Sequence, residues 1–432
     1  MLATIVECGE TFGIRIGNQL PSPREAITVA EHPAVGMSVT VRRFEGERDM
    51  VEQHPPIRTA LVGCGVIGRT HAQVLAALPG YRLVAAIDRD ADGASAIADL
   101  VAAQGDPRPR TAASLAEALA EGEPFELVVV ATPSGLHVQL ALEALDADRH
   151  VLVEKPLDVD LPRARALADA AREAADRGVL ASVVSQHRLD PSTVALAAAI
   201  EQGRLGRITS AVASVPWWRG DDYYAAADWR GTWAMDGGGA LMNQGVHTLD
   251  LLLALLGRPA QVTAEFARTA HEGIEVEDTL VGTIAFESGA LAAVHATTAG
   301  YPGLGARLQV QGSAGSAVVE DDVLVSLHLA DLENGADPRN AHASMLAQPD
   351  PAEALGLGWA GGHARQYLDL QAALHGRSRP AVPVEDAALV LATVRALYVS
   401  ATLGRRIAVD AVLGGEHDEV VAAPTGTAAL RR

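Results

Sequence analysis

The sequence predicts an α/β fold with an N-terminal parallel sheet and a C-terminal α/β domain with a large open, mainly antiparallel sheet. Three observations predict it. From Ile57 onward, short apolar stretches alternate with stretches of helical period, and a glycine-rich turn separates the first strand from the first helix. After about residue 180, strand-like stretches follow one another with few helices between the later ones. Alternation is typical of a parallel sheet covered by helices on both faces, whereas consecutive strands are typical of antiparallel pairing.

The N-terminal sheet is predicted from strands too apolar to leave one face in solvent. Its first helix ends at Pro79 and Gly80, two residues that stop a helix. In chain order the predicted strands are "IRTALVG", "YRLVAAIDRD", "FELVVVATP" and "HVLVEKP". The predicted helices are "RTHAQVLAALPG", 91–103, 114–120, "HVQLALEALDA" and "LPRARALADAAREAADRG".

The C-terminal sheet is predicted as an antiparallel meander whose strands are separated by turns rich in Gly, Ser or Glu. Its strands are "RITSAVASVPWW", "QVTAEFART", "DTLVGTIAFES", "ALAAVHATTAG" and "ARLQVQGSAGSAVVE". A helix, "ALMNQGVHTLDLLLALLG", follows three glycines. Two further helices, in 361–377 and 385–409, are predicted to return to the first domain, and the Ala-, Gly-, Pro- and Asn-rich stretch 332–359 is predicted as a mobile loop.

Four segments follow from these patterns. Residues 1–56 carry scattered Gly, Pro and charge without a sustained period, so we expect a poorly ordered extension, and Met50 is a candidate alternative start. Residues 57–179 are predicted to form the domain with the parallel sheet, and residues 180–410 the domain with the mainly antiparallel sheet. Residues 411–432 are predicted to be a loose tail.

Composition excludes several functional classes. The net charge of -20 is spread along the chain and no basic run is present, which argues against nucleic acid as a partner. Two cysteines are too few for a disulfide framework, no apolar stretch reaches about twenty residues, and no signal peptide is recognisable. We therefore expect a cytoplasmic protein that does not bind a membrane. His295, His342 and His363 lack paired ligand spacing, so no metal site is predicted, and no nucleophile elbow is present.

The turn "GCGVIG" predicts a dinucleotide-binding site. Gly63, Gly65 and Gly68 have the G-x-G-x-x-G spacing between a strand and a helix: the first permits the tight turn, the second admits a pyrophosphate and the third lets helix and strand pack closely. Asp88 ends the second strand, where a carboxylate accepts hydrogen bonds from the ribose hydroxyls of NAD and repels a 2′-phosphate. NAD is therefore favoured, although the neighbouring Arg89 leaves NADP open. Val66 and Ile67 complete the predicted turn.

Two other strand ends point to the same crevice, because ligands of open α/β sheets collect at the carboxyl ends of the strands. Thr132 and Pro133 follow one strand, in "ATPSGLH", and Glu154 and Lys155 follow the next, in "EKP". A lysine after a buried strand is unusual, and beside the expected nicotinamide we predict that it is catalytic or holds substrate. His137 closes the first of these motifs and joins the predicted cofactor set.

The motifs "GCGVIG", "ATPSGLH", "EKP" and "DGGGALMNQGVHTLDLL" together resemble the Gfo/Idh/MocA family, named for glucose-fructose oxidoreductase, inositol dehydrogenase and a rhizopine catabolism protein. The resemblance runs from about Ile57 to Val409. It implies a Rossmann domain, a second α/β domain whose sheet covers the nicotinamide and often carries subunit contacts, and a homodimer or homotetramer. It also implies oxidation or reduction at one carbon of a sugar, nucleotide sugar or cyclitol.

The resemblance implies that Lys155 and His247 meet at the reacting hydroxyl. Hydride leaves a secondary alcohol only as the hydroxyl proton departs, so one base and one group that stabilises the oxygen suffice. We assign His247 as the base and Lys155 as the polarising cation, with the reverse assignment open. Asn243, one turn before His247, replaces the aspartate of the inositol-dehydrogenase branch; its amide orients substrate but adds no negative charge.

An aromatic stretch, "WWRGDDYYAAADWRGTWAMDGG", is predicted to line the substrate mouth, because sugar faces stack on aromatic rings and arginines bind hydroxyls or a carboxylate. The candidates are Tyr223, Tyr224, Trp229 and Arg230. Arg188, in "SQHRLDPS", resembles a family position near the nicotinamide, and His363 is a further substrate candidate.

Two alternatives to a dehydrogenase stay open. A relative that retains NAD and uses transient oxidation is a glycosidase or epimerase and forms product without net NADH. A catalytically silent NAD-binding sensor is the other alternative, against which the intact Lys155 and His247 argue.

Overall fold

The structure is a computed structural model that describes residues 2–7, 10–15, 54–227, 229–330 and 350–422. The chain divides into two compact units, Met1–Pro55 and Pro56–Arg432. In the first unit, strands β1 (Leu2–Glu7) and β2 (Glu10–Arg15) pair antiparallel, a hairpin that the sequence did not predict. The expectation of poor order in 1–56 otherwise falls outside the described residues.

The N-terminal sheet of the second unit is parallel and six-stranded, in the order β5-β4-β3-β6-β7-β8. Its strands are β3 (Ile57–Val62), β4 (Tyr81–Ile87), β5 (Arg110–Ala112), β6 (Leu127–Val130), β7 (His150–Val153) and β8 (Ala181–Val183). Its helices are α1 (Val66–Ala77), α2 (Ala91–Ala103), α3 (Leu115–Ala120), α4 (His137–Asp146) and α5 (Leu161–Asp176). The side chains of Asp90, Ser114 and Asp160 cap α2, α3 and α5 by accepting from free amides of the first turn. The predicted Rossmann sheet is confirmed.

One boundary prediction is wrong. Ala181–Val183, expected to open the second domain, instead pairs in parallel with β7 as the last strand of the first sheet. This short strand, β8, lies beside the buried strand β7 and forms the edge of the parallel sheet. The chain therefore crosses to the second domain after Val183, and the polar segment that follows starts at the carboxyl edge of the parallel sheet.

The second sheet has eight strands in the order β15-β14-β13-β9-β12-β11-β10-β16. They are β9 (Ile208–Pro216), β10 (Pro259–Ala267), β11 (Thr279–Phe286), β12 (Leu291–Thr297), β13 (Arg307–Gly312), β14 (Gly315–Glu320), β15 (Val323–Leu329) and β16 (Ile407–Ala408). The sheet is mainly antiparallel, as predicted, but it is not a simple meander: β9 lies between β12 and β13 and pairs in parallel with β12. Alternate residues of β11 and β12 are buried, so one face of the sheet packs on helices.

Helices cover this sheet and connect it to the first domain. They are α6 (Pro191–Glu201), α7 (Asp221–Ala225), α8 (Trp233–Asp236), α9 (Val246–Leu256), α10 (Gly361–Leu374), α11 (Val384–Leu403) and α12 (Val409–Leu413). Tyr367 and Leu370 of α10 pack in one core with Leu61 and Leu75, so this helix returns to the first domain as predicted. Helix α11 is long and apolar enough to cross a membrane by length and composition, but most of it is buried in the protein core.

The predicted tail and loop differ in part from the structure. The tail was expected to be loose from residue 411, yet its start belongs to α12, and Asp418 forms an ion pair with Arg165. The stretch 332–359 lies mostly outside the described residues. Its last part forms two short 3-10 turns, Glu353–Leu355 and Gly358–Ala360.

Candidate active site

The glycine turn between β3 and α1 leaves space for a cofactor at only one of its three glycines. Gly63 has φ 99°, and a Cβ there would lie 2.4 Å from the Ala131 carbonyl oxygen. A Cβ on Gly68 would lie 2.0 Å from the Gly63 carbonyl oxygen. A Cβ on Gly65 would meet no atom within 4 Å. The fold therefore requires the first and third glycines, whereas the second keeps open the place that a pyrophosphate takes in such turns.

Other groups at this edge fit a dinucleotide. The Asp88 carboxylate accepts a hydrogen bond from the Cys64 amide at 2.7 Å, which holds it beside the glycine turn where a ribose binds. The Thr132 hydroxyl at the end of β6 is buried without a hydrogen-bond partner, and Val66 at the start of α1 is 87% exposed. An unsatisfied buried hydroxyl and an uncovered apolar side chain both gain partners when a ligand covers this edge. Arg89 is exposed beside them.

His137 does not have the place predicted for it. Its buried ring lies between the carbonyl oxygens of Thr132 and Pro156, each 2.8 Å from a ring nitrogen. With both nitrogens facing backbone, the imidazole joins the loops after β6 and β7 and has no free edge for a cofactor. Pro133 precedes the 3-10 turn Ser134–Leu136, which begins this bridging segment.

Lys155 and His247 line one cavity, with Met242, Val246 and Asp250 among its other walls. Lys155 reaches it from the end of β7 and His247 from the first turn of α9. The segment before α9, Ala240–Gly245, is a π-helix. At its start, the Glu277 carboxylate accepts hydrogen bonds from the amides of Gly239, at 2.7 Å, and Leu241, at 2.9 Å. The π-helical turn is wider than an α-helical turn, and such turns are frequent at functional sites.

The surroundings of His247 keep its imidazole neutral. Burial lowers the pKa of His247, and the charges of Lys155 and His187 lower it further, so that it lies well below its usual value. The His187 ring meets the His247 ring edge to face, with centroids 5.0 Å apart. His187 Nδ1 lies 2.9 Å from carboxylate oxygens of Asp190 and Asp322. Burial opposes the charge on His187, but these two carboxylates outweigh it and raise its pKa to about 9.

Asp236, a carboxylate that sequence reasoning missed, lies near Asn243. Asp236 accepts from the Gly231 amide at 2.6 Å, and Asn243 Nδ2 donates to the Gly238 carbonyl oxygen at 3.4 Å. Burial raises the pKa of Asp236, while the charges of Arg230 and Lys155 oppose that rise. The carboxylate absent at position 243 is thus present nearby, within electrostatic reach of Lys155.

Glu154 and His363 form part of a buried cluster instead of facing a ligand. Glu154 Oε1 lies 3.0 Å from His71 Nε2 and 3.4 Å from His363 Nε2, and Oε2 accepts from the Lys155 amide at 3.0 Å. Burial acts to raise the pKa of Glu154, but the two imidazoles hold it well below its usual value. Tyr367 completes the cluster, with its hydroxyl 2.8 Å from His71 Nδ1. Both oxygens of Glu154 are occupied, which leaves it the role of fixing the backbone of Lys155.

Arg188 is also placed differently from the prediction. Its guanidinium binds Asp250 through Nε at 2.8 Å and Nη2 at 2.6 Å, and Asp386 through Nη1 at 2.7 Å. These ion pairs raise the pKa of Arg188 against the effect of burial. Because its donors are taken by protein carboxylates, Arg188 ties α9 to α11 and is not available to substrate.

The aromatic stretch forms a wall near Asn243. Tyr223 accepts a hydrogen bond from Gln244 at 3.2 Å, and its ring lies 4.4 Å from the Arg230 guanidinium. Trp229 is 38% exposed. The Tyr224 ring packs edge to face on that of Tyr223, with centroids 5.1 Å apart, and its hydroxyl bonds the Thr298 hydroxyl at 2.9 Å, so it braces the loop.

Comparison with known proteins agrees with this architecture. The oxidoreductase family domain described as an NAD-binding Rossmann fold matches residues 57–182, and the GFO/IDH/MocA C-terminal domain matches residues 193–318. The chain belongs to the Gfo/Idh/MocA family. The resemblance found in the motifs is thereby confirmed, and the Gfo/Idh/MocA Rossmann domain carries the cofactor edge described above.

The chain covers different shares of the proteins to which it is similar. It is 30% identical to the 1,5-anhydro-D-fructose reductase of Ensifer adhaerens over 66% of this chain and 80% of that protein. It is 30% identical to an uncharacterised oxidoreductase of Schizosaccharomyces pombe over 52% of this chain, and it spans only 59% of that protein's length. The WlbA dehydrogenase from Bordetella pertussis, solved with NADH and UDP-GlcNAcA, has a TM-score of 0.70 and 32% identity over 82% of this chain and 97% of its own.

Three site residues escaped sequence reasoning for different reasons. Asp236 directly precedes the glycine triplet of "DGGG", and that position was the available signal. His187 stands beside Arg188 in "SQHRLDPS", and only Arg188 was selected there, because it resembles a family position. His71 follows the glycine turn by three residues, and no local pattern separates it from a core histidine.

Proposed function

We propose that this protein is an NAD-dependent dehydrogenase that oxidises a secondary alcohol of a sugar, nucleotide sugar or cyclitol. The observation that carries the proposal is the shared cavity of Lys155 and His247, at the carboxyl edge of a sheet whose glycine turn is open at Gly65. The names of the relatives support the same substrate classes: one is an anhydrofructose reductase and another was solved with a UDP-sugar.

In this function His247 removes the hydroxyl proton. Its lowered pKa keeps the imidazole neutral near pH 7, so a lone pair is available to the proton as the alcohol oxygen gains charge. Lys155 supplies a cation against that oxygen. NAD, when bound, accepts the hydride from the carbon. Asn243, whose side chain bonds the Gly238 carbonyl oxygen, holds a neighbouring hydroxyl so that the reacting carbon keeps its position.

NAD is the proposed cofactor and NADP the disfavoured one. The Asp88 carboxylate is fixed beside the turn by the Cys64 amide, and a 2′-phosphate there would meet a like charge. We also expect a cytoplasmic homodimer or homotetramer, which cell fractionation and light scattering of the purified protein will check.

The test compares two variants with a control. In Lys155→Ala and His247→Asn we expect turnover of the best substrate to fall by about 10²- to 10⁴-fold while NADH binding is unchanged. His295→Asn is the matched control, because this histidine lies on β12 and bonds Ser214 at 3.0 Å. Sugars, uronates, cyclitols and nucleotide sugars are screened with NAD and NADP by nicotinamide absorbance. Normal turnover in either variant, or product without net NADH, would contradict the proposal.

A further inference from the structure

Two arginines at the substrate wall, Arg219 and Arg230, form no ion pair with a carboxylate among the described residues. Among the described residues, the Arg219 guanidinium donates only to the Trp218 carbonyl oxygen, at 3.3 Å, and the Arg230 guanidinium only to the Tyr223 carbonyl oxygen, at 2.8 Å. The Nε atom of each is buried without a hydrogen-bond partner. The chain has 54 acidic and 34 basic side chains, so acidic partners are in excess overall. Nearby Arg188, by contrast, is paired with two carboxylates.

The two guanidinium groups alternate with aromatic rings. Arg219 lies 5.0 Å from the Trp217 ring centroid and 5.3 Å from that of Tyr223. Arg230 lies 4.4 Å from the Tyr223 centroid and 5.4 Å from that of Trp229. Stacking on rings stabilises the cations and fixes the planes of their guanidinium groups. It leaves N–H groups at the edges of those planes for an acceptor that the described protein does not supply.

This alternating wall is joined to the reaction centre. Gln244, which follows Asn243 in the π-helix, donates to the Tyr223 hydroxyl at 3.2 Å. The charges of Arg230 and Lys155 both act on Asp236, so the wall and the catalytic lysine face one carboxylate from within electrostatic reach.

We propose that Arg219 and Arg230 bind an oxyanion on the substrate, a carboxylate or a phosphate, so that the protein prefers an acidic or nucleotide-linked sugar to a neutral one. This inference rests on the proposed function, whose site it extends. Guanidinium edges match the geometry of both oxyanions, and a charge held away from the reacting carbon positions the ring for hydride removal.

The experiment measures binding and turnover separately. D-glucose is compared with D-glucuronate, and N-acetylglucosamine with UDP-N-acetylglucosamine, by quenching of tryptophan fluorescence in the full-length protein and by NADH formation. We expect at least one acidic compound to bind more tightly than its neutral counterpart. Arg219→Gln and Arg230→Gln should weaken that binding by about ten- to hundredfold, and should weaken binding of the neutral sugar by a smaller factor.

Three controls complete the design. Arg307→Gln removes the same charge from β13, where Arg307 pairs with Glu320 at 3.3 Å, and should have no effect. Arg219→Lys and Arg230→Lys keep the charge without the planar fork and should lose less affinity than the glutamine variants. Thermal unfolding of every variant shows whether the fold is retained.

The outcomes separate the two proposals. If neither acidic compound binds more tightly than its neutral partner, or if the glutamine variants bind the acid as the wild type does, the oxyanion site is refuted. The carboxylate and phosphate arms show which oxyanion is bound. If arginine-dependent binding is observed but no compound in the wider substrate screen yields NADH, the oxyanion site stands and the dehydrogenase proposal fails.

Discussion

Adding one methyl group to the glycine turn should separate cofactor binding from folding. At Gly65 the backbone has φ −75° and ψ −157°, and a Cβ there would meet no atom within 4 Å. An L-residue adopts such angles with little strain. We therefore expect the free energy of unfolding of Gly65→Ala to stay within about 1 kcal/mol of wild type.

At Gly63 the same methyl group should damage the fold. The backbone has φ 99°, which costs an L-residue roughly 1–2 kcal/mol. The Cβ would also lie 2.4 Å from the Ala131 carbonyl oxygen, a backbone atom that cannot turn aside, and such overpacking costs about 1–3 kcal/mol. Gly63→Ala should therefore lose about 2–5 kcal/mol, a large part of the roughly 5–15 kcal/mol that stabilises a typical protein.

Gly65→Ala, which should leave the fold intact, should weaken NADH binding. In Gly65→Ala the methyl group occupies the space expected for the pyrophosphate, and each charge-assisted hydrogen bond lost there costs about 1.5–3 kcal/mol, or roughly ten- to hundredfold in Kd. Urea unfolding measures stability, and quenching of tryptophan fluorescence by NADH measures Kd. Wild-type affinity in Gly65→Ala, or equal destabilisation of the two variants, would refute the assignment of this turn.

Two further predictions concern titrating groups. His187→Gln removes a cation beside His247, so the pKa of His247 should rise and the acidic limb of kcat/KM should move to higher pH, whereas the control His295→Gln should leave the profile unchanged; an unmoved limb in His187→Gln would contradict this. Burial raises the pKa of Glu277 from 4.5 to about 7, so the folded state holds a proton that the unfolded state has lost, and this group's contribution to stability falls as pH rises between those values. Glu277→Gln should flatten that part of the stability–pH curve and cost about 1–3 kcal/mol, because the new amide faces N–H donors; urea unfolding at several pH values will check both effects, and an unaltered slope would count against them.

The fold was largely predictable because its signals are local. The glycine spacing, the apolar strands and the acidic end of β4 each lie within a few residues, and each indicates the same parallel sheet. The order of strands in the second sheet was less predictable. Strand β9 comes early in the sequence of this domain, but in the sheet it lies between β12 and β13. No sequence pattern near β9 indicates which later strands pair with it.

The site was predictable in part for the same reason. Lys155 and His247 stand in recognisable motifs, and they line one cavity in the structure. Their assignment as catalytic groups stays a prediction that the variants will test. Arg188 was predicted to bind substrate because it resembles a family position near the nicotinamide. Nothing near it in sequence reveals that Asp250 and Asp386 take its donors.

By itself, the sequence determined where the glycine turn lies and which polar residues follow buried strands, since backbone freedom and hydrophobic period are properties of neighbouring residues. Only the tertiary structure decided which charged side chains are paired within the protein and which remain available to a ligand. Glu154 is enclosed by His71 and His363, whereas the Arg230 guanidinium forms no ion pair among the described residues. Burial and pairing depend on segments far apart in the chain, and these two properties decide whether a charged side chain serves the fold or meets a substrate.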